Sequence, residues 1–264
     1  PYYCYNDACF ATYVDIYNDK DEFSDQDLAR IYQKEKYWLQ QAEGVFFNSD
    51  WALELTKRAY GLKGENFVNV GYGGFIDIPK KDTFKGGVNF LFISREFIPK
   101  GGMAVAQAII EVRKIYPEAN VWVVGAKPPE VILANEAIIY KGFFRKSVLD
   151  ECKTLKDIFS QSFCLVHPTL KDINPLVINE LSYFGCPAIA TNRFAIPEFL
   201  LEKETGLLLN NPKDVEELAL KMQYLIIHKN AYYKMRKKTR EQALQNNTWS
   251  KVGIVVRNYI QKNK

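Results

Sequence analysis

The sequence has no C-x-x-C pair, no internal repeat, no low-complexity segment and no apolar run long enough to cross a membrane. Each absence removes a class of protein. The five cysteines, Cys4, Cys9, Cys152, Cys164 and Cys186, are odd in number and scattered, which argues against a disulfide framework or a zinc site. They predict free thiols in a reducing cytoplasm. A membrane helix needs about 18 consecutive apolar residues, and neither such a run nor a signal-peptide pattern occurs. Net charge is only +4 and dispersed, so nucleic acid is not an expected partner, whereas an anionic ligand or membrane surface is compatible. The Walker phosphate loop G-x-x-x-x-G-K-[ST] is also missing.

What is present is ordinary globular sequence, 47% hydrophobic and 25% charged, and at 264 residues long enough for two domains. The chain begins at Pro1 already inside patterned sequence, from which a fragment is expected. A strand ends near Asn6 and Asp7. Residues 24–43 read as a helix capped by Ser24, "GVFF" as a strand, the next stretch as a helix stopped by Gly61, and "NFVNVGYGG" as another strand. "IDIPKKDTFKGG" is linker-like. From Val88 the rhythm is regular. Strands at "VNFLFIS", "NVWVVG", "AIIYKG", "FCLVHP", "PAIAT" and "GLLL" are separated by helices expected over 103–116, 148–159 and 175–184, with two more over 215–227 and 231–244 and a tail helix. Apolar runs without alternation, spaced by helices, indicate a parallel sheet covered on both faces, so residues 88–244 should form one doubly wound α/β domain.

Ligands in such sheets bind beyond the carboxyl ends of the strands. Three loops there carry unusual residues. In "SREFIPKGG", Arg95 and Lys100 suit a diphosphate, and Gly101 and Gly102 would let the backbone approach it; ordinary solvated cations are the equal alternative. In "HPTLKDINPLVINELSYFG", Asn174 reads as an N-cap and Pro175 as the first helical residue, which would leave the amides of Leu176 and Val177 facing a phosphate. Glu180 falls on the sector of that helix that holds Leu176, Val177, Leu181 and Phe184, with no Lys or Arg three or four positions away. A buried Glu needs a partner. A ligand's hydroxyls would supply it, and Asp172 flanks the same helix mouth; a rotated helix with Glu180 exposed is the alternative. In "YKGFFRKS", Gly142 ends a strand, and Phe143 with Phe144 offers apolar surface for a base or simply joins the core.

These residues together resemble the donor-binding domain of the retaining GT-B glycosyltransferases of family 4. The resemblance rests on Arg95 with Lys100-Gly101, on Asp172 and Glu180 separated by seven residues, and on a "G-x-P-x-x-x-T" strand formed by Gly185, Pro187 and Thr191. "IPEFLLEKETGLLL" is similar as well. "AEGVFFNSDWALELTKRAYGLKGENFVNVGYGGFID" resembles the end of the acceptor-binding domain, and "YNDACFATYVDIY" the strand and loop before it. Asp7 falls near where relatives place a His facing the cleft.

The resemblance implies a GT-B fold: residues 1–75 as the end of a Rossmann-like acceptor domain, 76–87 as linker, 88–244 as donor domain, and 245–264 as a helix packing back on the N-terminal part. It implies that Arg95 and Lys100 hold the diphosphate, Glu180 the ribose and Asp172 the transferred sugar. The reaction would move a hexosyl unit from a UDP- or GDP-linked sugar to a saccharide, lipid-linked or protein acceptor, with retention and with neither cofactor nor metal. The first acidic position is usually Glu, and here it is the shorter Asp172. The front of the acceptor domain has no counterpart before Pro1, so a nucleotide-sugar-binding subunit that needs a separate N-terminal half as partner is the second reading. An epimerase or phosphorylase of the same architecture is a third, and those families do not usually show the paired acids. In "YYKMRKKTR" (232–240), cations interleaved with aromatics fit a solvated helix face or weak peripheral contact with the inner face of a membrane.

Overall fold

The computed structural model describes residues 1–18 and 22–263. They form two compact units, Pro1–Gly73 with Asn246–Lys264, and Gly74–Gln245.

In the first unit, strands β1 (Tyr3–Asn6), β2 (Gly44–Phe47) and β3 (Phe67–Asn69) form a parallel sheet in that order. β2 is buried throughout, and alternate residues serve opposite faces. Val45 and Phe47 pack with Cys4, Leu39, Leu53 and Tyr60, while Phe46 packs with Val70 and with Val252 and Tyr259 of the C-terminal helix Trp249–Lys262. Helix α1 (Phe10–Tyr17) replaces the loop expected after β1. No side chain caps it. Its first amides instead donate to distant groups, Phe10 N to Glu35 Oε2 at 2.9 Å and Ala11 N to Tyr60 Oη at 3.2 Å. That satisfaction of end groups is long-range and leaves no local mark. Helix α2 (Asp25–Gln41) starts as expected, Ser24 Oγ accepting from Asp27 N at 3.1 Å. Helix α3 (Asp50–Tyr60) is capped by Ser49 and ends on Gly61 at φ +59°.

The second unit runs β4 (Asn89–Ser94), α4 (Gly102–Arg113), β5 (Asn120–Gly125), α5 (Glu130–Leu133), β6 (Ile138–Gly142), α6 (Leu149–Gln161), β7 (Cys164–His167), α7 (Leu176–Ser182), β8 (Ala188–Thr191), α8 (Ile196–Phe199), β9 (Gly206–Leu209), α9 (Val215–Ile227) and α10 (Lys229–Asn246). Its six strands are all parallel, in the order β6-β5-β4-β7-β8-β9. The chain therefore starts in mid-sheet, winds outward one way, and returns to wind the other. The reversal lies between β4 and β7, which opens a crevice beyond their carboxyl ends.

Residues 76–87 contain neither helix nor strand, yet they are held firmly to the second unit. Arg236 of α10, only 2% exposed, grips Asp82 with two bonds of 2.8 and 2.9 Å. It also donates to the carbonyls of Ser162 and Phe184 at 3.2 and 2.8 Å and lies 4.1 Å over the Phe84 ring. Gly185, at φ +72°, makes room, since a Cβ there would sit 2.7 Å from Asp82 Oδ2. The cationic, aromatic segment of α10 is thus divided. Tyr232, Met235, Arg236 and Thr239 face the core, and Tyr233, Lys234, Lys237 and Lys238 face solvent. Of the cations and aromatics that suggested a solvated or membrane-facing helix, Tyr232 and Arg236 are interior.

Candidate functional site

The loops leaving β4 and β7 meet at the reversal point and are joined to each other. Leu170 N donates to Pro99 O at 3.4 Å and Lys100 Nζ to Lys171 O at 2.6 Å. Gly101, at φ +85°, is packed so closely that a Cβ would lie 2.2 Å from Pro168 O, and one on Gly102 would strike the Phe97 ring. The two glycines, expected to admit a ligand, serve contacts within the protein.

Lys100 Nζ also lies 3.1 Å from Asp172 Oδ2, which His167 Nε2 meets at 2.9 Å. Burial alone would raise the Asp172 carboxyl, but the His167 bond and charge, then Lys100, outweigh it and hold its pKa below the usual carboxylate value. His167 Nδ1 is buried without a hydrogen-bond partner. A singly protonated ring therefore carries its proton on Nε2, toward Asp172.

Helix α7 begins differently from expectation. Pro175, not Asn174, is the N-cap, with φ −77° and ψ 76°, and no side chain caps the helix. Leu176 N turns back to Asn174 O at 2.9 Å, so that amide is already used, and Asn174 Oδ1 is buried without a partner. The cause is local: a tight backbone turn at the proline takes the donor that a free helix end would have offered.

Glu180 faces inward, 2% exposed. Its partners come from elsewhere in the same unit: Phe75 N donates to Oε1 at 2.9 Å, and Lys146 Nζ forms an ion pair with the same oxygen. The expectation that only a ligand would meet it is corrected. A cation does neutralise it, from the loop after β6 and not from its own helix. Gly74 fits directly against it, a Cβ there falling 2.7 Å from Glu180 Cγ, and Gly74 N donates to Tyr183 Oη at 2.8 Å.

A cavity of about 530 Å³ opens at these strand ends. Its wall brings together Arg95, Phe143, Phe144, Leu176, Val177 and Glu180, all anticipated, with Phe75, Gly125 and Lys146. Its size suits a small-molecule ligand, for which pockets span roughly 300–1,000 Å³. Arg95 is exposed and makes no ion pair or hydrogen bond among the described residues. Lys100 and Asp172 form their separate cluster with His167, and Asn174 and Pro175 shape the turn into α7. Gly142 ends β6 at φ +106°, a backbone position that favours glycine. Asp7 is exposed just after β1, in the other unit. Sequence reasoning missed Lys146, His167 and Phe75. Lys146 lies in a loop read only for its aromatics, and no spacing rule ties it to a helix 34 residues away.

A doubly wound parallel sheet with its cavity at the reversal point, accompanied by a second parallel α/β unit, defines a fold of the GT-B type. The family model described as glycosyl transferases group 1 matches residues 87–228, more than half of the chain. The chain belongs to the group 1 glycosyltransferases. Among solved structures it is similar to sucrose-phosphate synthase from Thermosynechococcus elongatus (TM-score 0.73, 16% identity, 98% of this chain and 67% of that one). It is similar to Anabaena HepE solved with UDP and glucose (TM-score 0.70, 14% identity, 99% and 71%). A variant of S. aureus TarM, in complex with fondaparinux, alpha-GlcNAc-glycerol and UDP, is a third (TM-score 0.70, 14% identity, 91% and 48%). The chain thus spans 48–71% of the length of these proteins. No curated protein sequence matches it.

Proposed function

We propose that the chain is the donor-binding part of a glycosyltransferase that moves a hexosyl unit from a nucleoside-diphosphate sugar to an acceptor hydroxyl, with retained configuration and without a metal ion. The observation that carries this reading is Glu180, a buried carboxylate that lines the same cavity as Arg95, which is unpaired among the described residues. Glu180 would accept hydrogen bonds from the ribose. Arg95 would grip the diphosphate, and Lys100 would join it by exchanging Asp172 and the Lys171 carbonyl for a phosphate oxygen. As the bond from the anomeric carbon to the diphosphate breaks, charge gathers on the departing group, where fixed cations are most effective. Asp172, released from Lys100, would face the sugar hydroxyls, and Phe143 the base. UDP in HepE and TarM supports a UDP-linked donor over a GDP-linked one. Asp7 is the candidate on the acceptor side, and the five free cysteines support a cytoplasmic setting.

The test is calorimetric titration of UDP and GDP into wild type and Glu180→Ala. Binding is expected to disappear in the variant while its circular dichroism stays unchanged, and unaltered affinity removes Glu180 from the site. A second reading is a subunit that is silent without a separate N-terminal half. Release of nucleoside diphosphate from a panel of donors, with and without a candidate partner, separates the two. Turnover by the chain alone ends the subunit reading, and turnover only with the partner ends that of a self-sufficient enzyme.

A further inference from the structure

The last torsion of a glutamate side chain is broad and weakly preferred, so a carboxylate that must meet a ligand in one orientation has to be held there. In Glu180 two donors converge on a single oxygen. The Phe75 amide and the Lys146 ammonium both bind Oε1, and neither bond uses Oε2. Lys146 is placed unlike a surface ion-pair partner. Its own side chain is 36% exposed and that of Glu180 only 3%, so the lysine reaches from the cavity wall down onto a buried group. Its neighbour Arg145 is committed elsewhere, donating from Nε to both oxygens of Glu151 at 3.0 and 3.1 Å. Both residues line the cavity, and Lys146 is the cation of this loop that meets Glu180. The amide alone would fix the position of Oε1 but not the plane of the carboxylate. The second donor, arriving from the loop after β6, removes that freedom.

We infer that Lys146 is a positioning residue for donor recognition: with the Phe75 amide it locks Oε1 and so turns Oε2 to accept a hydroxyl of a ribose. This rests on the reading of the cavity as a nucleotide-sugar site. It deepens that reading by making the ligand a ribonucleoside diphosphate and the discrimination against deoxyribose dependent on a lysine outside α7. Hydrogen bonds to a charged group typically change affinity about 10- to 100-fold. Removing the ribose hydroxyl that meets Oε2 should cost that much in the wild type, and far less once the carboxylate can swivel.

The experiment is calorimetric titration of UDP, 2′-deoxy-UDP and 3′-deoxy-UDP, with the GDP and ADP series alongside, into the full chain and its Lys146→Met and Lys146→Arg variants. Expected is at least a tenfold preference of the wild type for the ribonucleotide over one of the deoxy probes. In Lys146→Met that preference falls to threefold or less, and in Lys146→Arg most of it returns. A lysine that only supported the fold or added general positive charge would weaken all three probes equally and leave their ratio unchanged, which overturns the inference. A wild type that binds nucleotides but ignores the ribose hydroxyls also overturns it, while leaving a nucleotide site standing. A wild type that binds none of the nucleotides overturns the functional reading and the inference with it. Lys146→Leu, which likewise removes the donor, replaces Lys146→Met in the comparison should the latter not fold.

Discussion

Replacing Arg236 by Met tests whether residues 76–87 are held to the second unit by charge or by packing alone. Methionine fills much of the arginine's volume and can still touch Phe84, so the change removes chiefly the guanidinium. Lost are two bonds to Asp82, one each to the carbonyls of Ser162 and Phe184, and one to Tyr232 Oη. Breaking a buried ion pair by deleting one partner costs about 3–5 kcal/mol. Two features move the figure in opposite directions. Asp82 has a side chain 30% exposed and can rehydrate, which lowers it. The two carbonyls each forfeit a charged donor in a buried setting, which raises it. The result is about 3 kcal/mol, or roughly a 100-fold loss of protection if the segment opens locally. Hydrogen exchange by mass spectrometry on peptides covering 76–87 reads this directly. It avoids treating a chain with two units as a single cooperative transition. Combining the variant with Asp82→Asn closes a cycle in which a coupling of about 1–3 kcal/mol is expected. Exchange changed by less than threefold, with no coupling, would show that apolar contact replaces the ion pair at no cost and would refute the argument.

Two further outcomes follow from the loops at the reversal point. Gly101→Ala places a methyl group on a left-handed residue and 2.2 Å from Pro168 O, so the β4 and β7 loops must part. A loss of about 2–4 kcal/mol of stability in the second unit, together with weaker nucleotide binding, is expected, and an unchanged melting temperature would contradict it. For Asp172 the folded pKa lies below the ordinary 3.8, so its stabilising contribution is complete above that value and is lost as pH falls through the depressed folded one. The difference in urea midpoint between wild type and Asp172→Asn should be constant near neutrality and shrink as the pH drops below 3.8, whereas a gap that widens in acid would reverse the sign of the reasoning.

The central sheet was readable because its strands are buried on both faces, so "NVWVVG" and "GLLL" stand out as unbroken apolar runs, and they match β5 and β9. The start of α2 was readable because Ser24 caps it with its own side chain. Elements that depend on distant partners were not. Helix α1 has no cap of its own and is completed by Glu35 and Tyr60. Helices α5 and α8 span four residues each, too short to display a helical period. Residues 76–87 look like a linker because of their Pro, Gly and Lys content, and what holds them lies far off in sequence: the buried Arg236 on Asp82, Arg240 on the Pro79 carbonyl and Lys156 on Asp77.

The same division runs through the site. That Glu180 points inward follows from helical spacing within α7, a local property, and the structure agrees. What meets it does not follow, because Lys146 and Phe75 approach from segments 34 and 105 positions away. Those two donors change what the carboxylate can do. Left bare, it would be a buried charge free to choose its orientation when a ligand arrived, with the cost of ordering it charged against binding. With Oε1 already held, that cost is met in folding, and on the proposed reading the remaining oxygen would meet a hydroxyl in a fixed direction. The strap at Arg236 and the lysine at 146 then act on one group from two sides. Arg236 secures the segment that follows Phe75, and Lys146 secures the carboxylate on which the Phe75 amide rests. Loosening either should relax the preference for UDP over its deoxy analogues.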